Sequence, residues 1–101
     1  MINGTREVII KFEDGDIFVS PPKIKVRRGQ TIRWVFEGGA FTVKFDALSP
    51  VGAVGFRRGA GGEVSGVVRE TAQTGTYKYT VAAQVGGEIY IEDPQVVIED
   101  A

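Results

Sequence analysis

The segment GTYKYTVAAQVGG, residues 75–87, begins as a strand and ends in residues that favour a turn. Tyr77, Tyr79 and Val81 alternate with polar residues, which is the period of two expected of a half-buried strand. The next six residues, Ala82–Gly87, include two glycines and predict a loop. A strand that ends in a loop often positions a reactive side chain there, but this loop offers only one polar side chain, an amide.

The same alternation recurs along the chain, as in TIRWVFE (31–37) and AFTVKFD (40–46). Adjacent prolines at Pro21-Pro22 indicate a bend or a sheet edge, because proline cannot donate to a strand ladder. The glycine-rich segment 47–62 has little periodicity and predicts a long loop. No segment has the periodicity of a helix. These features predict an all-β sandwich of about seven or eight short strands in one domain, residues 1–101.

Composition excludes several classes of function. The chain has 101 residues and a net charge of -1, so no basic surface indicates nucleic acid or an anionic membrane as a partner. It contains neither Cys nor His, which removes disulfides, thiolate nucleophiles and the commonest general base and metal ligand. A lysine base or a carboxylate pair remains chemically possible, but no spacing indicates either. We expect a protein that is not an enzyme and has no cofactor.

The N-terminal sequence MINGTREVII has no basic region and only a three-residue apolar run, which is too short for the core of a signal peptide. As written, the sequence predicts a cytoplasmic protein. A processed domain of a periplasmic or secreted protein would have the same appearance.

Two long segments together resemble the cupredoxins, the blue-copper β-sandwich proteins. They are FVSPPKIKVRRGQTIRWVFEGGAFTVKFD (18–46) and TGTYKYTVAAQVGG (74–87). In that family a strand with an apolar-x-Trp pattern, here Ile32-Arg33-Trp34, precedes a metal-binding His and Thr-Val-x-Phe. A later Gly-Thr-Tyr-x-Tyr/Phe-x-Cys strand leads to a second His and often an axial Met. The resemblance implies a cupredoxin-like Greek-key sandwich.

The resemblance also locates the expected copper ligands, one position at a time. The first His falls on Phe41, the Cys on Val81, the second His on Gln84 and the axial Met near Gly87. A blue-copper site requires a thiolate and two imidazoles, and none of these positions supplies one. The resemblance therefore implies the fold without the copper chemistry. We expect Phe41 and Val81 to pack together where the metal would lie.

An immunoglobulin- or fibronectin-like sandwich is the alternative fold. Trp34 and a corner formed by Gly75 and Tyr77 fit it in part, since both features occur in such domains. The order of the motifs favours the cupredoxin-like topology.

These observations lead to a hypothesis of a non-catalytic binding or protein-interaction module, with Phe41 and Gln84 as candidate contacts. The alternative is a small-anion or small-ligand binding protein that uses the Arg-containing loop 52–62. In that loop Phe56 can contribute an aromatic contact and the guanidiniums of the adjacent Arg57 and Arg58 can hold a phosphate or carboxylate.

The remaining features have simpler interpretations. The acidic residues at 13–16 lack the spacing of a calcium loop and predict a turn. The last apolar segment, QVVIE (95–99), can pair with a second copy if it forms a sheet edge, so we expect a monomer or a weak homodimer. Strict alternation predicts core positions for the aromatic residues Trp34, Phe36, Phe41, Phe45, Tyr77 and Tyr79.

Overall fold

Alternation of apolar and polar residues accounts for most of the secondary structure. The computed structural model describes residues 4–46, 48–51, 55–58 and 62–100, with the backbone alone at 55–58. These residues form strands and no helix, so nothing within the described ranges is a helix long and apolar enough to cross a membrane. In chain order the strands are β1 (Thr5–Glu13), β2 (Asp16–Ser20), β3 (Lys23–Arg27), β4 (Thr31–Val35), β5 (Phe41–Phe45), β6 (Gly55–Arg58), β7 (Glu63–Val67), β8 (Gly75–Val85), β9 (Glu88–Glu92) and β10 (Gln95–Glu99).

The strands form two mixed sheets. The first has the order β2-β1-β4-β7, and the second has the order β3-β10-β8-β5-β6 with β9 also paired to β8. The chain crosses repeatedly between the sheets from β2 to β8, and β1 with β4 and β10 with β3 run parallel. Crossing of this kind is typical of Greek-key sandwiches. The expectation of an all-β sandwich is confirmed, with ten strands in the described part of the chain rather than seven or eight.

The core lies between the two sheets and follows from the alternation. The core strands turn alternate apolar residues inward, as in β4, where Ile32 and Trp34 are buried and Arg33 between them is exposed. Burial of side chains of this size stabilises the fold by about 1.5–3 kcal/mol each. The aromatic residues predicted to be in the core are buried there, except for Tyr77, which packs against it half-buried; the buried ones are Trp34, Phe36, Phe41, Phe45 and Tyr79.

The corner at the start of β8 has the structure that its sequence indicates. Gly75 has a φ of 140°, and the hydroxyl of Tyr77 donates a hydrogen bond to the carbonyl oxygen of Gln73, with an O···O distance of 2.7 Å. A tyrosine that bonds back to the backbone a few residues upstream fixes the entry of a strand into a sandwich. The corner is thus not specific to the immunoglobulin-like alternative.

Two of the expectations about loops and edges are wrong. The segment 47–62 is not a continuous loop, because residues 55–58 form β6 and pair with β5. The QVVIE segment is not a sheet edge, because β10 lies between β3 and β8 and is hydrogen-bonded to both. In each case pairing with another strand occupies the backbone groups, and the local sequence does not reveal that pairing. The strand edge on which the prediction of a weak homodimer was based is therefore not available for pairing.

Candidate functional site

Strands β5 and β8 bring the positions of the expected ligands to one end of the second sheet. They are antiparallel, with Phe41 opposite Ala83 and Val43 opposite Val81. All four of these side chains are buried. The positions that correspond to the first His and the Cys of the copper proteins are therefore occupied by packed apolar groups.

The ring of Phe41 packs against the ring of Phe36, the buried residue that follows β4. The two ring centroids are 6.0 Å apart and the ring planes are inclined by 80°, an edge-to-face arrangement that is favourable for aromatic pairs. Phe41 and Val81 belong to the same core, as expected, but each lies directly opposite a different residue across the ladder. Phe41 is thus a core residue here and offers no exposed surface to a partner.

Gln84 lies on the other face of β8. Successive side chains of a strand alternate between faces, so a residue three positions from Val81 must point away from it. Val81 is fully buried and Gln84 is exposed, which agrees with this rule. These two positions cannot reach a single ion while the strand remains regular.

The expectation of a loop at Ala82–Gly87 is wrong, because β8 continues to Val85 and closes into a tight hairpin with β9. The turn consists of Gly86 and Gly87, with φ values of 57° and 85°. Two central residues with positive φ are what a two-residue type I′ turn requires, and glycine adopts them without strain. The two glycines do form a turn, but it begins at Gly86, four residues after the start of the loop that we inferred at Ala82.

A second contact holds this end of β8 in place. The backbone nitrogen of Gln84 donates a hydrogen bond of 2.8 Å to the carbonyl oxygen of Ala40, just before β5. A β-carbon added to Gly39 would lie only 2.0 Å from the carbonyl oxygen of Gln84. The absence of a side chain at Gly39 thus permits the two backbones to approach.

Comparison with solved structures identifies the fold. A pseudoazurin from Sinorhizobium meliloti aligns over 96% of this chain and 74% of its own, with 22% sequence identity and a TM-score of 0.60. A mutant of amicyanin in its Cu(I) form aligns over 92% of this chain and 82% of its own, with 17% identity and a TM-score of 0.55. The chain has a cupredoxin-like fold. No family model and no curated protein matches the sequence.

At the expected ligand positions the cupredoxin-like chain has no residues that fit a copper ion. Phe41 and Val81 have no donor side-chain atoms, Gly87 has no side chain, and Gln84, the only donor side chain among the four ligand positions, faces the opposite side of the sheet from Val81. Among the described residues no group of three or more His, Cys, Asp or Glu side chains could hold a metal ion. The resemblance in sequence order is therefore a resemblance of fold, and no copper chemistry follows from it.

The same end of the cupredoxin-like sandwich contains an open cleft of about 430 Å³. Its lining comes from the end of β1, from the segment after β4 and from the end of β8, so three chain segments that are distant in sequence meet there. Phe36 lies between the cleft and Phe41, since it lines the first and contacts the second. We call this surface the end cleft; it is lined by Ile10–Glu13, Phe36–Gly38 and Val85.

The strand β9 exposes two large apolar side chains that the sequence analysis did not single out. Ile89 and Ile91 are 61% and 59% exposed, and they lie opposite Gln84 and Ala82 of β8. We call these four residues the hairpin face. The alternation in EIYIE was visible in the sequence, but it did not show which side of the strand faces solvent.

The residues of the alternative anion site are described only in part. Phe56, Arg57 and Arg58 lie in β6, with their backbone opposite Val43, Thr42 and Phe41, and their side chains are outside the described part of the chain. They belong to a strand and not to the expected loop. Anion binding by these residues stays a prediction.

Proposed function

We propose that this chain is a metal-free cupredoxin-like module that binds another protein and carries out no catalysis. The observation on which the proposal rests is the exposure of Ile89 and Ile91 on the hairpin that takes the place of a metal-binding loop. Exposed apolar groups that lie together on one face mark interaction surfaces more often than isolated ones do.

The chemistry of the former ligand positions supports an interaction role over electron transfer. Phe41 and Val81 contribute to the core and offer no donor atoms to a metal. Their burial stabilises the end of the sandwich where a copper protein uses ligation. A hairpin held in a regular strand pair is suited to presenting a surface, because the hairpin face does not have to order itself on binding.

The ends of β9 favour a different protein over a second copy. Pairing β9 antiparallel with itself about Tyr90 would place Glu88 directly opposite Glu92 of the other copy, twice in each pair of strands. Like charges directly opposite each other destabilise a strand pair. Acidic residues that flank an apolar strand also protect an exposed edge from aggregation.

The metal-free part of the proposal is tested by metal analysis of the protein purified from its own source. We expect copper far below one equivalent and no blue absorption band, also after incubation with Cu(II) and removal of excess metal. Stoichiometric copper with a blue band would contradict the proposal, whatever partner the protein binds.

The interaction part is tested by the double variant Ile89→Thr/Ile91→Thr. Threonine retains the β-branched shape that suits a strand, so the variant removes apolar surface with little effect on folding. Val67→Thr is the matched control, since Val67 is also exposed and lies in β7 of the other sheet. In quantitative affinity purification we expect some proteins to be recovered with both wild type and the control, and to be lost with the double variant. Recovery that is the same for all three proteins would overturn the role of the hairpin face.

A further inference from the structure

The end cleft combines apolar surface with a few charged groups in the way that a recognition site does. Its volume of about 430 Å³ lies in the range of binding pockets, and it is open to solvent. The buried ring of Phe36 and the partly exposed ring of Phe12 are both in its lining. Gly38 lies close against the Phe36 ring, since a β-carbon at Gly38 would be only 2.6 Å from it.

The charged groups of the cleft have an excess of negative charge. Glu13 and Glu37 line it together with Lys11. The adjoining β1–β2 turn adds Asp14 and Asp16, both exposed. Within the described ranges, none of these four carboxylates forms an ion pair. Partner chemistry that complements this surface is therefore cationic.

The first sheet shows how this chain satisfies a similar pair of carboxylates. The guanidinium of Arg33 lies between Glu7 and Glu63 on the outer face, with Nε 3.0 Å from an oxygen of each. The hydrogen bond to Glu7, with the charge of Glu63, raises the pKa of Arg33 above its ordinary value. No described residue provides such a guanidinium for Glu13 and Glu37.

We propose that the end cleft binds a lysine or arginine side chain of a protein partner, held between Glu13 and Glu37 and packed against the exposed ring of Phe12. The side chains suit such a group, since carboxylates form charge-assisted hydrogen bonds with it and aromatic rings attract its charge. This inference rests on the proposed function and specifies the partner: an exposed segment with basic residues next to apolar ones.

A protein segment fits the cleft better than a free small cation does. Sites for small molecules enclose most of the ligand surface, and this cleft is open. Phe18 extends the apolar surface beyond the cleft, since it is exposed in β2 and lies opposite Lys11 of β1. An apolar residue beside the basic one can cover Phe18, whereas a lone amine or guanidinium cannot.

The experiment uses the full chain as bait for a displayed library of random 16-residue peptides. We expect enriched peptides to contain lysine or arginine adjacent to large apolar residues, and to bind more weakly as salt rises from low to high concentration. Enrichment of acidic or neutral peptides, or of none, would overturn the proposal.

Variants then locate the site for an enriched peptide, with Kd measured by fluorescence anisotropy. Glu13→Gln/Glu37→Gln keeps shape and removes charge, and we expect it to weaken binding about tenfold or more. The control Glu70→Gln/Glu99→Gln removes two exposed carboxylates elsewhere and is expected to change Kd less than twofold. Equal Kd values for the two double variants would overturn the proposal.

Two comparisons distinguish this inference from binding of a free cation and from the proposed function of the hairpin face. Spermine and arginine amide are offered as free cations, and binding of either as tight as that of the peptide would overturn the protein-segment proposal. If Ile89→Thr/Ile91→Thr loses a native partner while Glu13→Gln/Glu37→Gln keeps it and no basic peptide binds, the end-cleft proposal fails and the proposed function stands.

Discussion

Gly39 and Gln84 approach so closely that no side chain fits between them. A β-carbon on Gly39 would lie 2.0 Å from the carbonyl oxygen of Gln84, and the neighbouring Ala40 carbonyl accepts a hydrogen bond from the Gln84 nitrogen. The contact joins the segment before β5 to the end of β8, beyond the point at which the sequence predicted a loop. It holds in register the part of β8 that carries the hairpin face.

Replacing Gly39 with alanine is expected to destabilise the fold by about 2 kcal/mol or more, because backbone atoms would have to move to admit the β-carbon. Urea denaturation measures this as a lower midpoint with an unchanged slope. Gly4→Ala is the matched control, since its β-carbon would meet only the end of the Gln30 side chain at 3.8 Å. A Gly39→Ala protein as stable as the control would show that the two backbones are not in contact in solution.

The corner at the start of β8 gives a second prediction. Tyr77→Phe removes the hydroxyl that donates to the Gln73 carbonyl oxygen at 2.7 Å and leaves the ring in place. We expect a loss of about 1 kcal/mol in the free energy of unfolding, the usual net value of one hydrogen bond. Tyr90→Phe is the control, because the Tyr90 ring packs on Phe12 and that contact is retained. If Tyr77→Phe were as stable as wild type, the hydrogen bond from Tyr77 to Gln73 would not contribute to holding the start of β8.

Much of the fold was predictable from local pattern. The alternation of Tyr77, Tyr79 and Val81 is sufficient to define β8 and its inward face, and the two glycines after Val85 define a turn. Such signals are local, since each depends on a few consecutive residues. The order of the motifs added the topology, because a resemblance over many segments constrains the fold more strongly than any one segment does.

The errors involve pairings that the residues of a single segment do not reveal. The sequence of β10 does not show that β3 covers it, because parallel pairing depends on where the chain returns and not on the residues of either strand. The continuation of β8 to Val85 depends on pairing with β9 and on the space left by Gly39. The end cleft was missed for the same reason: its lining comes from three separate segments, and no motif marks their meeting.

Burial of Tyr79 predicts a dependence of stability on alkaline pH. The side chain is fully buried beside the Trp34 indole, and this burial raises the pKa of Tyr79 to about 12, with the nearby indole N–H acting in the opposite direction. The unfolded chain loses this proton near pH 10, so between pH 10 and 12 the folded state retains one more proton than the unfolded state. Stability contributed by the neutral hydroxyl is complete below pH 10 and falls by about 1.4 kcal/mol per pH unit between pH 10 and 12.

Other groups also titrate in this range, so the measurement is a difference between two proteins. The unfolding free energy of wild type and of Tyr79→Phe is followed from pH 8 to pH 12, where phenylalanine has no proton to lose. We expect the two curves to be parallel below pH 10 and wild type to fall more steeply above it. Parallel curves over the whole range would show that Tyr79 ionises as easily in the folded protein as in the unfolded chain.

The opposite orientation of Val81 and Gln84 gives the most direct test of the closed site. The natural chain has no cysteine, so Val81→Cys and Gln84→Cys each introduce a single thiol into a protein that is otherwise unreactive. Val81 is fully buried and Gln84 is exposed. We expect an aromatic disulfide reagent to modify the thiol at position 84 rapidly. At position 81 the rate should be lower by roughly 100-fold or more, because the buried thiol reacts only after the structure opens.

Denatured protein supplies the control for this pair, since in guanidinium chloride the two thiols should react at similar rates. Circular dichroism confirms that both variants keep the β-sheet signal of wild type. A loop at this position would allow both side chains to turn toward one point, as ligands of a single ion must. Equal reactivity in the folded proteins would therefore contradict the regular strand through Val85 and, with it, the argument that the positions of the second His and the Cys lie on opposite faces of the sheet.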